Sequence, residues 1–208
     1  MALNITQVTI PQSNYQKGRG GKKIEFVVLH WIVGNLAAAD ASFQNPQRIA
    51  SATYGIGHTE IHQYVKEEDT PYTNSNFDSN QRSVTIEHEG GQLLSNGTRQ
   101  TPSEDTHKTS IQLVADICKR NNIPCDRAHV KKHSEISATQ CPGSLNIDRI
   151  VTEAAKIVNA PVTPPTPPSD DLYRVTHKGT QLGAFAKNPI DRIDELEKRM
   201  VQINALSK

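Results

Sequence analysis

One short stretch of the sequence decides the fold: Ile24-Glu25-Phe26-Val27-Val28-Leu29-His30-Trp31. Glycines bound this nearly continuous apolar run, at positions 18, 20 and 21 before it and at position 34 after it. An apolar run of this length between turn-forming residues predicts a buried strand. His30 stands out near its end, where a buried strand would ordinarily carry another apolar side chain.

Further strands and helices alternate along the chain after this stretch. Strands are predicted over 54–57, 61–65 and 83–89, and Gly90-Gly91 ends the last of them. Helix propensity and apolar spacing predict helices over 35–41, 103–122 and 145–158. Because helices are interleaved with strands, we expect an α/β fold.

The length and charge of the chain argue against some classes of function. It has 208 residues and a formal net charge of +1, so no overall basic field points to a nucleic-acid partner. No apolar stretch is long enough for membrane insertion. The N-terminal residues MALNITQVTIPQ lack the features of a secretory signal, so we expect a protein made in the cytoplasm.

A proline-rich segment divides the chain. Five prolines fall within residues 161–169, and such a sequence favours an extended spacer. We therefore predict a catalytic domain over 1–160, a linker over 161–170 and a small C-terminal module over 171–208. Two alternating runs joined by Lys178-Gly179 predict a β-hairpin in that module, and an apolar stripe over 190–206 predicts a helix.

Three residues of the first domain have the chemistry of a metal site. His30 ends the first strand, and His133 and Cys141 lie in one later segment. Two imidazoles and a thiolate suit Zn²⁺, and three protein ligands leave a fourth position open for water. Residue types alone leave the question open, because a single histidine or cysteine is more often part of the core.

Other histidines and cysteines are weaker candidates. His58-Thr59-Glu60-Ile61-His62 lacks a glutamate directly after its first histidine, and neighbouring glycines argue against a helix, so it is not a metalloprotease motif. We interpret His129 as a surface or supporting residue on a loop. Cys118 and Cys125 are interpreted as free thiols, because Cys118 falls in the apolar stripe of the predicted helix.

Four segments, in order, resemble one enzyme family. They are Phe26-Val27-Val28-Leu29-His30-Trp31, Ser51-Ala52-Thr53-Tyr54, Ser83-Val84-Thr85-Ile86-Glu87 and the stretch from His133-Ser134-Glu135 to Thr139-Gln140-Cys141-Pro142-Gly143. Together they resemble the zinc N-acetylmuramoyl-L-alanine amidases, a superfamily that includes phage amidases and peptidoglycan recognition proteins. The resemblance implies a mixed central sheet flanked by helices, and hydrolysis of the amide between N-acetylmuramic acid and L-alanine.

The resemblance also implies roles for single residues. His30, His133 and Cys141 match the zinc ligands, and Glu87 matches the glutamate of a family strand. Tyr54 matches a tyrosine that other branches place near the metal. Thr139 stands where some phage enzymes carry lysine and catalytic recognition proteins carry threonine.

These roles give an expected mechanism. Glu87 would take a proton from water and pass it to the leaving amine. Tyr54 and Thr139 would hold the developing oxyanion. Glu89 competes for the role of base, because it lies two residues along the same strand and so on the same face.

An amidase joined by a proline-rich linker to a small module is the layout of phage endolysins and bacterial autolysins. We therefore expect an endolysin that acts on bacterial peptidoglycan, with holin-dependent release if it is phage-encoded. The module is expected to bind a secondary wall polymer, or to self-associate through residues 190–206. The alternatives are a non-catalytic peptidoglycan-recognition module, a bacterial autolysin and an amidase that recycles muropeptides.

Overall fold

The protein is described by a computed structural model that covers residues 3–160, 174–177 and 180–184. Its main feature is a six-stranded mixed sheet in the order β1-β5-β4-β7-β3-β8. The strands of this sheet are β1 (Ile5–Gln7), β3 (Phe26–Val33), β4 (Tyr54–Gly57), β5 (Glu60–Gln63), β7 (Ser83–Gly90) and β8 (Val130–Lys132). Two short strands, β2 (Tyr15–Gln16) and β6 (Thr70–Pro71), form a separate antiparallel pair.

The two longest strands form the centre of the sheet. β3 and β7 are parallel over eight residue pairs, and this register sets His30 beside Glu87. β8 runs parallel to β3 on its other side. β4 runs parallel to β7 and places Gly55 beside Glu87. Only β4 and β5 pair antiparallel within this sheet, so the sheet is mixed, as predicted.

Helices cover both faces of the sheet. They are α1 (Leu36–Gln44), α2 (Phe77–Arg82), α3 (Glu104–Asn121) and α4 (Ile147–Val158). One face packs against α3 and α4 in a large apolar cluster that includes Leu29 and Ile86. The other face packs against α1 in a smaller cluster that includes Ile32 and Phe43. Alternate residues of each strand therefore face different helices.

Most predicted elements are confirmed, with shifted ends. Asn35 caps α1, since its side chain accepts a hydrogen bond from the amide of Ala38 at 2.9 Å. The segment before His133 was interpreted as a loop, but it contains β8. β1 and α2 are not predicted from the sequence, because both are too short to show a clear periodicity.

The chain divides into two compact units, residues 1–160 and 161–208. In the second unit, β9 (Arg174–His177) and β10 (Thr180–Ala184) pair antiparallel, which confirms the predicted hairpin. The predicted linker over 161–170 and the predicted helix over 190–206 lie outside the described residues. Within the part of the chain that the structure describes, no helix is both long and apolar enough to cross a membrane.

Candidate metal centre

The three predicted ligands come together at one end of the central strands. The ligand atoms of His30, His133 and Cys141 all lie within 4.8 Å of one another. His30 belongs to β3, His133 follows directly after β8, and Cys141 comes from the loop beyond. Because β3 and β8 are parallel neighbours, their carboxyl ends bring the two histidines to the same edge, where the ring centroids are 4.3 Å apart.

One ring nitrogen of His30 faces the other candidate ligands, and the other ring nitrogen contacts a neighbouring side chain. Its Nδ1 lies 3.7 Å from Sγ of Cys141. Its Nε2 lies 2.9 Å from Oδ1 of the buried Asn74. Burial, and then the neighbouring His133, lower the pKa of His30 to about 3. The ring is therefore neutral at pH 7, which is the form that binds metal.

His133 is held in a similar way. Its Nε2 lies 2.7 Å from Oγ of Ser137, four residues later in the same loop. The ring also makes a hydrogen bond with the backbone of Asn74. Burial lowers the pKa of His133, so this ring also favours the neutral state.

Backbone contacts fix the position of Cys141. The amide of Trp31 donates a hydrogen bond to its Sγ at 3.4 Å, a contact that favours the thiolate. The carbonyl of Cys141 accepts from the amide of Ser134 at 3.0 Å. The Trp31 ring lies against Gly143. A Cβ atom at position 143 would lie only 2.1 Å from a carbon of this ring. The Cys141 loop is thus anchored on β3.

Glu87 is the acidic residue nearest this group in the sheet register. It lies beside His30 on the neighbouring strand. Part of its side chain reaches solvent, but Oε2 is buried and makes no hydrogen bond. Burial raises the pKa of Glu87 to about 7. A carboxyl group poised near neutral pH can both accept and return a proton.

A cavity of about 390 Å³ opens beside Glu87. Its walls come from β3, from α1 and from the segments around residues 48–51 and 72–73. Trp31 and Tyr72 supply aromatic surface, and the exposed Arg48 supplies a positive charge. The arrangement joins a three-residue metal-ligand group, a carboxyl group and a cleft of mixed character.

Sequence comparison shows which family has this arrangement. The N-acetylmuramoyl-L-alanine amidase family matches residues 20–144. This span covers more than half of the chain and includes all three ligands and Glu87. The chain belongs to this family. It is an N-acetylmuramoyl-L-alanine amidase.

Solved structures agree with the amidase fold at low sequence identity. A mutant endolysin from Bacillus subtilis is 20% identical, with a TM-score of 0.60, and the match covers 74% of this chain and 99% of that one. An endolysin amidase from Clostridium intestinale is 18% identical, with a TM-score of 0.60, covering 74% and 96%. An AmpD derivative is 19% identical, with a TM-score of 0.58, covering 74% and 99%. A comparison with curated proteins gives no match.

The donor set of the amidase fits a zinc ion. Two neutral imidazoles and one sulfur within 4.8 Å of one another are the ligand types that zinc prefers. Burial, and then Glu87, raise the pKa of the Cys141 thiol to about 12 in the protein alone. A cation at this position would favour the thiolate, because metal binding displaces the thiol proton.

The second glutamate of β7 is already engaged. Oε2 of Glu89 accepts from the amide of Leu36, the first residue of α1, at 3.2 Å. Its Oε1 lies 3.4 Å from Nε2 of His58. Both oxygens therefore have partners, unlike those of Glu87. This difference favours Glu87 as the base.

Tyr54 is not part of the group, which corrects the sequence-based expectation. It pairs with Ile86 rather than Glu87 in the sheet register and packs in the cluster under α3 and α4. Its hydroxyl donates to Glu67 at 3.1 Å and accepts from Gln63 at 3.1 Å. Burial, and then Glu67, raise its pKa. Tyr54 therefore lies on the opposite face of the sheet from His30.

Thr139 lies in the same loop as Cys141. Its side chain is exposed, and its Oγ1 accepts a hydrogen bond from the amide of Cys141 at 3.2 Å. This contact leaves the hydroxyl proton available, so a role in holding an oxyanion stays a prediction.

The other histidines that the sequence analysis considered lie away from this group. The His58–His62 segment contains the β5 strand rather than a helix, as the glycines predicted. His129 bonds to Asp126 at 2.7 Å on the surface. The sequence gives no prediction for Asn74 and Ser137, the partners of the two histidines of the candidate group. Both lie in polar segments that predict only turns, so no local signal marks them.

Proposed function

We propose that this amidase binds zinc through His30, His133 and Cys141 and degrades bacterial peptidoglycan as an endolysin. The observation that carries the proposal is the buried, unpartnered oxygen of Glu87 beside a compact group of three zinc-type donors. When bound, zinc would supply Lewis acidity toward water and toward the scissile carbonyl.

Glu87 would move the proton in this reaction. Its pKa near 7 lets it accept a proton from the attacking water and return it to the nitrogen of the leaving L-alanine. Its unpartnered Oε2 needs no hydrogen bond to break before this transfer. Thr139 would donate its hydroxyl proton toward the developing oxyanion.

The cavity beside Glu87 suits the two parts of the substrate. Trp31 and Tyr72 offer flat apolar surfaces for the sugar ring, and Arg48 offers a charge that complements carboxylates of the stem peptide. The walls formed by α1 and residues 48–51 would hold the peptide beside Glu87.

Digestion of purified peptidoglycan followed by mass spectrometry tests this function. We expect free stem peptides that begin with L-alanine and intact glycan chains. Cys141→Ser and Glu87→Gln serve as inactive controls. Release of disaccharides, or of peptides cut at an internal bond, would refute the amidase reaction in the proposed form.

A second candidate function is that of an amidase that acts on small soluble muropeptides. The third candidate, a silent recognition module, is disfavoured because all three ligand positions are filled by donors. Rates on intact walls and on soluble muropeptides separate the first two. An endolysin should act well on intact walls, whereas a recycling amidase should act only on the soluble fragments.

We propose that the C-terminal unit binds the cell wall. A chain that ends at residue 160 keeps all the proposed ligands and Glu87 in one compact unit. It should hydrolyse soluble muropeptides normally and intact walls more slowly, because tethering raises the local enzyme concentration.

Light scattering on both forms tests self-association through residues 190–206, which predicts a smaller assembly after truncation. In the endolysin role, the protein would reach the wall from the cytoplasm through a holin-dependent route.

A further inference from the structure

Asn74 lies behind His30, on the side of the ring away from Cys141. Its Oδ1 is 2.9 Å from Nε2 of His30, whereas Sγ of Cys141 is 3.7 Å from Nδ1. Asn74 is completely buried, so no solvent competes for this contact. The two nitrogens of one ring therefore face groups of different chemistry.

A chain of hydrogen bonds fixes the orientation of the Asn74 amide. Oγ of Ser83 donates its single proton to the carbonyl of Ser79 at 2.7 Å. That hydroxyl can then only accept, and it accepts from Nδ2 of Asn74 at 3.0 Å. Oδ1 of Asn74 must therefore face His30. Since an amide oxygen only accepts hydrogen bonds, Nε2 of His30 carries the proton and Nδ1 carries the lone pair.

The backbone of Asn74 is also held in place. Its amide donates to Oδ1 of Asn80 at 2.8 Å, and the same oxygen accepts from the amide of Thr73 at 3.3 Å. Asn80 lies in α2, and Ser83 is the first residue of β7. The contact to His30 is thus built into the junction between α2 and the central sheet.

We propose that Asn74 is a positioning residue that holds His30 in the tautomer and orientation required for metal binding. The proposal rests on the zinc site proposed above, and Asn74 itself has no assigned contact with substrate. When the ring nitrogen that does not bind the metal donates its N–H to a carbonyl, the ring is fixed and its basicity is raised. Loss of such a partner typically weakens metal binding by about 10–100-fold.

The first test measures the tautomer without any metal. Nitrogen-15 NMR of the histidine rings in the metal-free protein should show His30 protonated at Nε2 near pH 7. In Asn74→Leu, this preference should be lost. Protonation at Nδ1 in the unmodified protein would overturn the proposal. Because this readout needs no zinc, it separates the tautomer from the fate of the proposed function.

The second test measures zinc affinity by competition with a chromogenic chelator. Asn74→Leu should bind zinc about 10–100-fold more weakly, and the visible spectrum of its Co²⁺ form should change. Asn74→Asp keeps an acceptor toward His30 and should stay within a few-fold of the unmodified protein. Ser110→Ala is the matched control, because it removes a 2.8 Å hydrogen bond to the buried His88, which is not a ligand.

Unchanged affinity in Asn74→Leu, or an equal loss in Ser110→Ala, contradicts the proposal. If circular dichroism shows that Asn74→Leu is unfolded, Ser83→Ala decides. That variant frees the Asn74 amide to rotate, so zinc affinity should fall and the Co²⁺ spectrum should shift, and values identical to the unmodified protein overturn the proposal. An unmodified protein that binds no zinc instead refutes the proposed zinc site, and the tautomer measurement still decides the role of Asn74.

Discussion

The two faces of the central sheet differ at one buried polar side chain. Under α3 and α4, His88 uses both ring nitrogens, with the carbonyl of His30 at 2.7 Å and Oγ of Ser110 at 2.8 Å. Tyr54, on the same face, has both a donor and an acceptor as partners. On the α1 face, Glu87 keeps one buried oxygen without any hydrogen bond.

This difference separates polar groups that support the fold from polar groups available for chemistry. A buried group without a partner costs about 1–3 kcal/mol, so a folded protein tolerates few of them. The α1 face retains one beside three metal-type ligands, whereas His88 and Tyr54 are saturated. Glu87 and Glu89 repeat the contrast within a single strand, since both oxygens of Glu89 have partners.

The largest effect should come from the metal-ligand group itself. In Cys141→Ser, zinc should be lost and hydrolysis of peptidoglycan should fall below detection, because a serine hydroxyl stays protonated at neutral pH and is a poor zinc ligand. Elemental analysis after gel filtration measures the zinc content. Cys125→Ser is the control, since Cys125 packs beside the α3–α4 cluster and outside the ligand group. Full zinc content in Cys141→Ser would show that another residue completes the site.

The next effect separates the two glutamates of β7. Glu87→Gln should keep zinc and lose about 10²–10⁴-fold in rate, the usual contribution of a general base. Glu89→Gln should stay within a few-fold, because an amide oxygen can still accept the bond from Leu36 that Glu89 now accepts at 3.2 Å. Rates on soluble muropeptide, with zinc content measured in parallel, check both. The reverse ranking would assign the base to Glu89.

Residue patterns predict those helices and strands whose formation depends on residues close together in the sequence. The apolar run at β3 and the apolar stripe of α3 depend on neighbouring residues, and both are confirmed in the structure. The strand β8 has three residues and no periodicity, so its pairing with β3 could emerge only from tertiary structure. The same holds for α2, which has six residues.

The residues of the candidate site likewise divide into those that sequence motifs predict and those that they do not. His30, His133, Cys141 and Glu87 were identified through ordered motifs, and the structure brings the three ligands together. The family resemblance places Tyr54 near the metal, but the register of β4 puts it on the other face, in a strand whose four residues are all buried. A fully buried strand has no alternation of polar and apolar residues, so the sequence cannot indicate which side chains share a face. Asn74 reaches His30 across 44 positions, a contact with no sequence signature.

A pH series on the metal-free protein should show His88 and Glu87 affecting stability in opposite directions. Burial lowers the pKa of His88 to about 4 from 6.5. The unfolded chain therefore binds more protons between these values, and His88 makes the fold less stable as the pH falls from 6.5 to 4. Burial raises the pKa of Glu87 to about 7 from 4.5. Here the folded chain binds more protons, so Glu87 makes the fold less stable as the pH rises from 4.5 through 7.

Urea unfolding at several pH values measures these contributions. Each group contributes at most about 1.4 kcal/mol per pH unit within its window. Metal-free Glu87→Gln should exceed the unmodified protein in stability at pH 8, and this gain should shrink toward pH 4.5. His88→Gln should be less stable at pH 7 but should lose less stability on acidification from pH 6.5 to 4. Parallel curves for all three proteins would show that neither buried group titrates as described.

The smallest effect should come from Tyr54, and it tests the assignment of faces most directly. Tyr54→Phe removes a hydroxyl that donates to Glu67 at 3.1 Å, on the face away from His30. Loss of its hydrogen bonds to Glu67 and Gln63 should lower the free energy of unfolding by about 1–3 kcal/mol. The rate on soluble muropeptide should stay within a few-fold, because no atom of this side chain lies on the Glu87 face. A fall of 100-fold or more, with zinc and stability retained, would place the hydroxyl in the reaction. In that case Tyr54 would have to reach the opposite face during catalysis, which requires β4 to separate from β7, since the present register pairs Tyr54 with Ile86.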